Sequence, residues 1–370
     1  MAKWRHGHRV SFIPAILTNQ GLSSDDPSKA QAFKARFFNE QPPDIPINFT
    51  DDPPALPPRD FSPITQEEVV SAISGTSNKS APGLSGQGYL LIKWAFSSHP
   101  ERLTHLYNAC LRLGHHPHQW RDATVVVVPK PNRTDPSLPK NYHPISLLEC
   151  LGKLLEKIIS TRLLFDINRY NLIPTTQFRG RNVSSTVDAG LSLQHDIHTT
   201  HASGLVCASL LFDISGFFDN INHQRLVAVF KGLGFPLELV NWLLSFLTNR
   251  HISLKFNGFS SDPYNLLIGT PQGSPISPVL SIIFASPILY LAQKWTNTGL
   301  SMYVNDRNLF ACGSDFSEVT NRLCSAYNDC WSWLNRASLS IEPDKTEVIF
   351  FKNSHAGHQR PNHIWLADPT

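Results

Sequence analysis

Three polar residues in apolar settings are the first candidates for chemistry. Asp213 closes an almost continuous apolar run from Leu205 to Phe212, and the pair Asn305-Asp306 sits between Met302-Tyr-Val304 and Asn308-Leu-Phe310. Carboxylate oxygens are hard donors that suit magnesium, an ion that keeps several waters and needs few protein ligands beside substrate phosphates. Each feature also has an ordinary reading. Asp213 alone is a solvated cap after a strand, and Asn-Asp is common turn chemistry because both residues tolerate tight backbone geometry. The six cysteines form no C-x-x-C pair and no Cys/His cluster of zinc spacing. Scattered in this way, they suit a reducing interior as small buried hydrophobes.

The elements that must hold these residues are legible from periodicity. Lys29 to Asn39 has apolar residues at helical spacing, followed by prolines 42, 43, 46, 53, 54, 57 and 58, which read as a stiff extended linker. Thr65-Gln-Glu-Glu68 is a capping-box pattern that opens an amphipathic helix through Val69, Val70 and Ile73. Asn78 to Gly86 is turn-rich and reads as a loop, and Leu103 to Leu113 as a helix ended by Gly114. Thr124 to Val128 predicts a β-branched strand closed by Pro129, and Ser146 to Leu164 a long helix. The run ending at Asp213 predicts a strand buried on both faces. Leu237 to Leu247 reads as a helix, His251 to Phe256 with Asn257-Gly258 as a hairpin, and 302–310 as a second hairpin. Phe316 to Leu334 predicts a helix and Glu347 to Phe351 a last strand, so the class is α+β without an internal repeat.

The 370 residues carry 41% hydrophobic and 16% charged residues, which exclude a disordered chain and allow a sizeable core. A formal net charge of +3 is compatible with nucleic acid without pointing to it. The apolar run from Ile276 to Leu291 is broken by Pro278, Ser281, Ser286 and Pro287, and reads as a core helix and not as a membrane span. With no signal peptide or transmembrane segment in view, the expectation is an intracellular protein of nucleus or cytoplasm.

Six segments, in order, carry a resemblance. Tyr142-His-Pro-Ile-Ser-Leu-Leu148, preceded by Pro129-Lys-Pro131 and followed by Gly152-Lys-Leu-Leu-Glu-Lys157, is the first. Gln177-Phe-Arg-Gly-Arg181 with Ser185-Thr-Val-Asp-Ala189 is the second, and Phe212-Asp-Ile-Ser-Gly-Phe-Phe-Asp-Asn-Ile221 the third. Then come Gly269-Thr-Pro-Gln-Gly-Ser-Pro-Ile-Ser-Pro278, Tyr303-Val-Asn-Asp306 and Leu339-Ser-Ile-Glu-Pro-Asp-Lys-Thr-Glu347. Together they resemble the reverse transcriptase domain of non-LTR (LINE-like) retrotransposons, of fungal type, from about residue 65 to about residue 352.

The resemblance implies a right-hand polymerase with fingers and palm, its antiparallel palm sheet packed on helices. It implies a fingers-like region at 61–200 and a palm-like catalytic region at 201–352, between an N-terminal remnant with its linker (1–60) and a tail (353–370). The reaction implied is transfer of a nucleotide from a dNTP to a primer 3′-hydroxyl on an RNA template with a DNA primer. Two Mg2+ (or Mn2+) ions would clamp the attacking and leaving oxygens. Asp213 and Asp306 match metal ligands, whereas Asn305 stands where the family has the first aspartate of its pair. An amide oxygen is neutral, so the motif reads as degenerate and the copy as impaired.

Phe218 matches the aromatic gate against a ribose 2′-hydroxyl, with Phe217 as its core neighbour. Gln272 and Gly273 match the nucleotide-contacting turn, where glycine lets backbone approach substrate closely. Lys130 matches a triphosphate-neutralising lysine, and His143 replaces the arginine of Arg-Pro-Ile-Ser. A mostly neutral imidazole cannot make arginine's bidentate fork on phosphate. Lys345 matches a proton donor to pyrophosphate, and Arg179 and Arg181 would lie near the template, the family usually having glycine at 179.

No stretch before residue 60 matches an endonuclease, and the residues after Phe351 are too few and polar for a thumb, so a truncated copy without a thumb is expected. The alternative is a catalytically dead nucleic-acid-binding or interaction module that retains the palm scaffold; no membrane partner is expected, and the oligomeric state is open.

Overall fold

The computed structural model describes residues 12–38, 44–131, 135–178, 185–303, 306–352 and 366. It is a mixed helix and sheet protein that divides into two compact units, each discontinuous in sequence.

The first unit draws on residues up to 41, 60–158 and 237–277. Its N-terminal part is a small hairpin, β1 (Ile16–Thr18) and β2 (Gly21–Ser23), followed by α1 (Asp26–Phe37). Then come α2 (Gln66–Ser74), α3 (Tyr89–Ser98) and α4 (Pro100–Arg112). The capping box opens α2 as read: Glu68 N–H donates to Thr65 Oγ1, and Thr65 N–H to the Glu68 carboxylate at 2.9 Å.

The sheet of this unit is built from β3 (Ala123–Pro129), β4 (Tyr142–Leu147), β6 (Arg250–Phe256), β7 (Phe259–Ser260) and β8 (Tyr264–Leu266), in the order β4-β3-β6-β7 with β8 also on β6. Only the β3–β6 pair is parallel. β3 alternates buried and half-buried residues, and its inward Val125 and Val127 pack with Phe33, Tyr142, Leu254 and Phe256. Asn257 at φ 51 and Gly258 at φ 84 make the tight turn between β6 and β7, as the Asn-Gly signal requires. The expected helix from Ser146 is corrected. Leu147 pairs with Thr124, and Ser146 N–H donates to Gln272 O at 2.7 Å, so those residues are claimed by the sheet and α5 (Cys150–Arg169) starts later.

The second unit comprises 42–59, 159–236 and the residues from 278 onward. Its sheet has the order β11-β5-β10-β9, all antiparallel, from β5 (Val206–Asp213), β9 (Thr298–Tyr303), β10 (Asp306–Gly313) and β11 (Glu347–Phe351). β5 is buried along almost all of its length, the continuous apolar strand that its sequence announces. It packs on α6 (Thr186–Ala202) and on α10 (Phe316–Arg336), where Tyr327 meets Phe212 edge-on at 5.6 Å. The unit also holds α7 (His223–Gly232) and most of α9 (Ser277–Ala292), and α8 (Leu237–Leu247) belongs to the first unit. In α9 the buried Ser281 and Ser286 hydroxyls donate to carbonyls of their own helix, so an apolar helix tolerates them. No helix among the described residues is long and apolar enough to cross a membrane.

The proline-rich segment is fastened to the second unit. Arg225, 1% exposed, donates to both carboxylate oxygens of Asp52 and to Ile47 O at 2.8 Å, with its guanidinium 3.9 Å above the Phe49 ring. Arg336 pairs with Asp51 at 2.9 and 3.0 Å, and Phe49 also meets Trp333 edge-on at 5.8 Å. Breaking one side of a buried, bidentate pair strands a charge, which costs about 3 kcal/mol or more. Asp52→Ala is therefore expected to lower unfolding free energy by about that much in urea titrations, and Arg336→Ala, acting on a partly exposed pair, by no more than about 1 kcal/mol.

Candidate active site

The end of β5 and the start of β10 bring two carboxylates together. Asp213, 8% exposed, is the register partner of Asp306 across the antiparallel pair. Lys345, on a short 3-10 turn (Pro343–Lys345), donates to Asp213 Oδ2 at 2.5 Å. That turn is held alongside by Glu342 N–H to Asp213 O at 2.9 Å, Ser215 N–H to Ser340 O at 2.9 Å and a bridge between Ile214 and Ile341. Partial burial first, and then the neighbouring Asp213 charge, push the Asp306 carboxyl above the ordinary aspartate range, while Lys345 and Arg307 pull it back.

Arg307 follows Asp306 on the strand and so points to the opposite, buried face of the sheet. It is 1% exposed, stacks 5.1 Å from the Phe217 ring centroid, and burial pushes it down to about 10, so it stays charged at neutral pH. Phe217 is buried against Phe284, with ring centroids at 6.3 Å, and half-buried Phe218 stands beside it at 6.0 Å. Thus Asp213, Asp306, Lys345 and Phe218 belong to the same unit, the first three in mutual reach. Asn305, Arg179 and Arg181 lie outside the described residues.

The first unit gathers a second group. His143 pairs with Val128 across β3–β4, and the ladder continues to Lys130 through its N–H to Asn141 O at 2.8 Å. Desolvation, then the charge of Lys130, lower His143 below the usual histidine range, so the ring is neutral at pH 7. Lys130 Nζ donates to Lys140 O at 2.7 Å. The Gln272-Gly273 turn docks on the same strand through the Ser146 to Gln272 bond.

Beneath this turn lies a buried polar support that sequence reading passed over. Ser274 donates to Glu156, which is fully buried, and burial raises its carboxyl above the usual range while the nearby Arg250 charge opposes that shift. Arg250 is 1% exposed and caps Phe246 O at 2.8 Å. The overlooked signal was charge inside apolar pattern: Glu156 interrupts Leu154, Leu155, Ile158 and Ile159, and Arg307 occupies the inward phase shared by Leu309 and Ala311.

Comparison with known proteins identifies the family. Residues 128–363, more than half of the chain, match the family described as reverse transcriptase (RNA-dependent DNA polymerase). The chain belongs to the reverse transcriptase family. It is similar to a probable RNA-directed DNA polymerase from transposon BS of Drosophila melanogaster, 30% identical over 77% of this chain and 32% of that protein. The corresponding protein of transposon X-element from the same fly is 29% identical over 79% and 32%. The RNA-directed DNA polymerase from its mobile element jockey is 26% identical over 79% and 32%. The chain therefore spans about a third of the length of the curated relatives it matches. A solved structure of apo telomerase from Candida tropicalis aligns with 64% of this chain and 52% of its own, at 14% identity and a TM-score of 0.47. The relatives make this a reverse transcriptase domain of the non-LTR retrotransposon kind, as its motifs imply.

Two outcomes test this geometry. A carboxyl whose folded pKa is raised destabilises the fold above that pKa, and the cost is relieved as pH falls through it. Asp306→Asn is thus expected to raise the thermal midpoint at pH 7 in chelator, the gain over wild type closing as pH falls through the raised Asp306 range, read by calorimetry. Gly273 has φ 117, and a Cβ there would stand 2.8 Å from Ser146 O, a backbone atom with little room to yield. Gly273→Ala is expected to cost about 1–3 kcal/mol in urea titrations and more than Gly258→Ala, where a Cβ would meet open space.

Proposed function

We infer that the carboxylate pair of the second unit is the metal-holding centre of an RNA-directed DNA polymerase, which extends a DNA primer from dNTPs on an RNA template. The observation that carries this reading is the pairing of Asp213 with Asp306, two acids on adjoining strand ends whose mutual repulsion is partly met by Lys345. A site that already draws an ammonium to Asp213 and disfavours charge on Asp306 fits hard divalent cations such as Mg2+. Held there, two such ions would supply Lewis acidity toward the primer hydroxyl and neutralising charge toward the departing pyrophosphate.

In this assignment residues 61–200 act as fingers and residues 201–352 as palm. Asp213 and Asp306 would hold the ions, and Asn305 offers a neutral oxygen where an acid is expected. Lys345, its side chain 54% exposed, gives a proton to the leaving pyrophosphate. Phe218 gates the sugar, Lys130 and His143 face the triphosphate, and Gln272 and Gly273 border the nucleotide. Arg179 and Arg181 are assigned to the template. The buried Glu156–Ser274 bond is a positioning device that fixes the turn carrying Gln272.

The experiment is Mg2+-dependent primer extension on an RNA template. Extension is expected to be weak in this chain, lost in Asp213→Asn, and raised about tenfold or more in Asn305→Asp, since each 1.4 kcal/mol or so of transition-state stabilisation is worth about a factor of ten. His143→Arg added to Asn305→Asp is expected to raise it further. Equal rates in this chain and Asn305→Asp would overturn the role given to position 305, and salt-sensitive RNA binding without extension in any variant would favour a binding module.

A further inference from the structure

We propose that His118, Asp122 and His251 form a binding site for a divalent transition metal, zinc in particular, on the sheet of the first unit. One donor atom from each lies within 4.8 Å of the others. The inference stands apart from the polymerase reading, because none of the three residues belongs to the centre assigned above.

The fold explains why the donors converge. β3 and β6 run parallel with Ala123 opposite Ile252, so the residues just before them, Asp122 and His251, stand side by side. His251 binds Asp122 twice, its backbone N–H 3.3 Å and its ring Nδ1 3.2 Å from the same Oδ1. His118 comes from the 3-10 turn His118–Trp120 that leads into Asp122, and its ring centroid is 6.4 Å from that of His251. The link between turn and strand is rigid. Trp120 is buried, and Arg121, 6% exposed, donates to His116 O at 2.8 and 2.6 Å and to Ser245 Oγ at 2.8 Å. The three donors therefore hang on one fixed corner of the sheet while their tips reach solvent.

The donor set selects the ion. Two imidazole nitrogens and one carboxylate oxygen suit zinc and its first-row neighbours, whereas magnesium and calcium call for oxygen throughout. Zinc holds such ligands at about 2.0–2.2 Å, which spaces tetrahedral donors roughly 3.4 Å apart. Asp122 and His251 are already near that spacing, and His118, exposed on its turn, has the freedom to close the remaining gap. Three protein ligands leave the fourth position open to water. A bound ion would tie the turn before β3 to β6, two segments that are distant in sequence, and so stabilise the folded chain by mass action.

The test uses the whole chain, stripped with chelator and titrated with Zn2+ and with Co2+ as a spectroscopic stand-in. One saturating equivalent of Zn2+ is expected, with a rise in thermal midpoint that Mg2+ does not reproduce, and visible d–d absorption from Co2+ that Zn2+ displaces. His118→Ala and His251→Ala should each remove the saturable signal and the thermal rise. His115→Ala, an exposed histidine outside the cluster, should keep both. Because His118 is exposed, its variant keeps the fold, which far-ultraviolet circular dichroism checks. Absence of saturable Zn2+ binding by the wild-type chain, or binding undiminished in both ligand variants, overturns the proposal and leaves an Asp122–His251 hydrogen bond with no metal.

Discussion

Antiparallel pairing of β5 with β10 sets two carboxylates against each other at the end of a sheet, and much of the second unit answers to that crowding. Partial burial and the nearby Asp213 charge disfavour ionisation of Asp306, a cost that a fold retains only where surrounding structure overrides it. Here the strands are locked by β9 on one side and β11 on the other, with α10 behind, so the acids cannot drift apart by peeling of an edge. Positive charge is supplied from two directions. Lys345 approaches Asp213 from a turn bonded to the chain after β5, and Arg307 lies under the sheet in a dry environment where its field is poorly screened. The pair is thereby confined between neighbouring strands, with positive charge on two sides of it.

The first unit solves a different problem with similar means. Gly273 turns at a φ of 117 that other residues resist, and it leaves backbone uncovered by any side chain. Such a turn has little rigidity of its own. It gains rigidity from β4 through Ser146 and from α5 through Ser274 on Glu156, a carboxyl buried in an otherwise apolar stripe. Burying that group is costly, and its retention fits a need for geometry over stability.

How much of this was open to a reader of the sequence depends on how local each feature is. The helix expected from Phe316 to Leu334 forms on its own periodicity and runs on to Arg336, and the β5 run, the capping box at Thr65 and the Asn257-Gly258 turn are each decided within a dozen residues and read correctly. The boundary at Ser146 did not, because its helical pattern lost to pairing with Thr124 and to a carbonyl at Gln272, both distant in sequence. Individual acids and lysines could be matched to motifs, but the Lys345–Asp213 ion pair and the Asp306 shift come from strand register, which no local pattern encodes. The His118, Asp122 and His251 cluster is hidden for the same reason: ligand spacing in sequence is uninformative when a parallel strand pair does the joining.

The clasp of Arg225 on Asp52 joins residues 173 apart, and Arg336 reaches Asp51 across 285. A chain made from its N-terminus exposes Phe49 and its two acids to water long before either arginine has been synthesised. Contacts of such separation slow folding, since loop closure must precede any return from the contact itself. The segment from 44 to 59 is thus fastened in two stages of chain length: its clasp to Arg225 becomes available with α7, and its contacts with Trp333 and Arg336 only once α10 has been made.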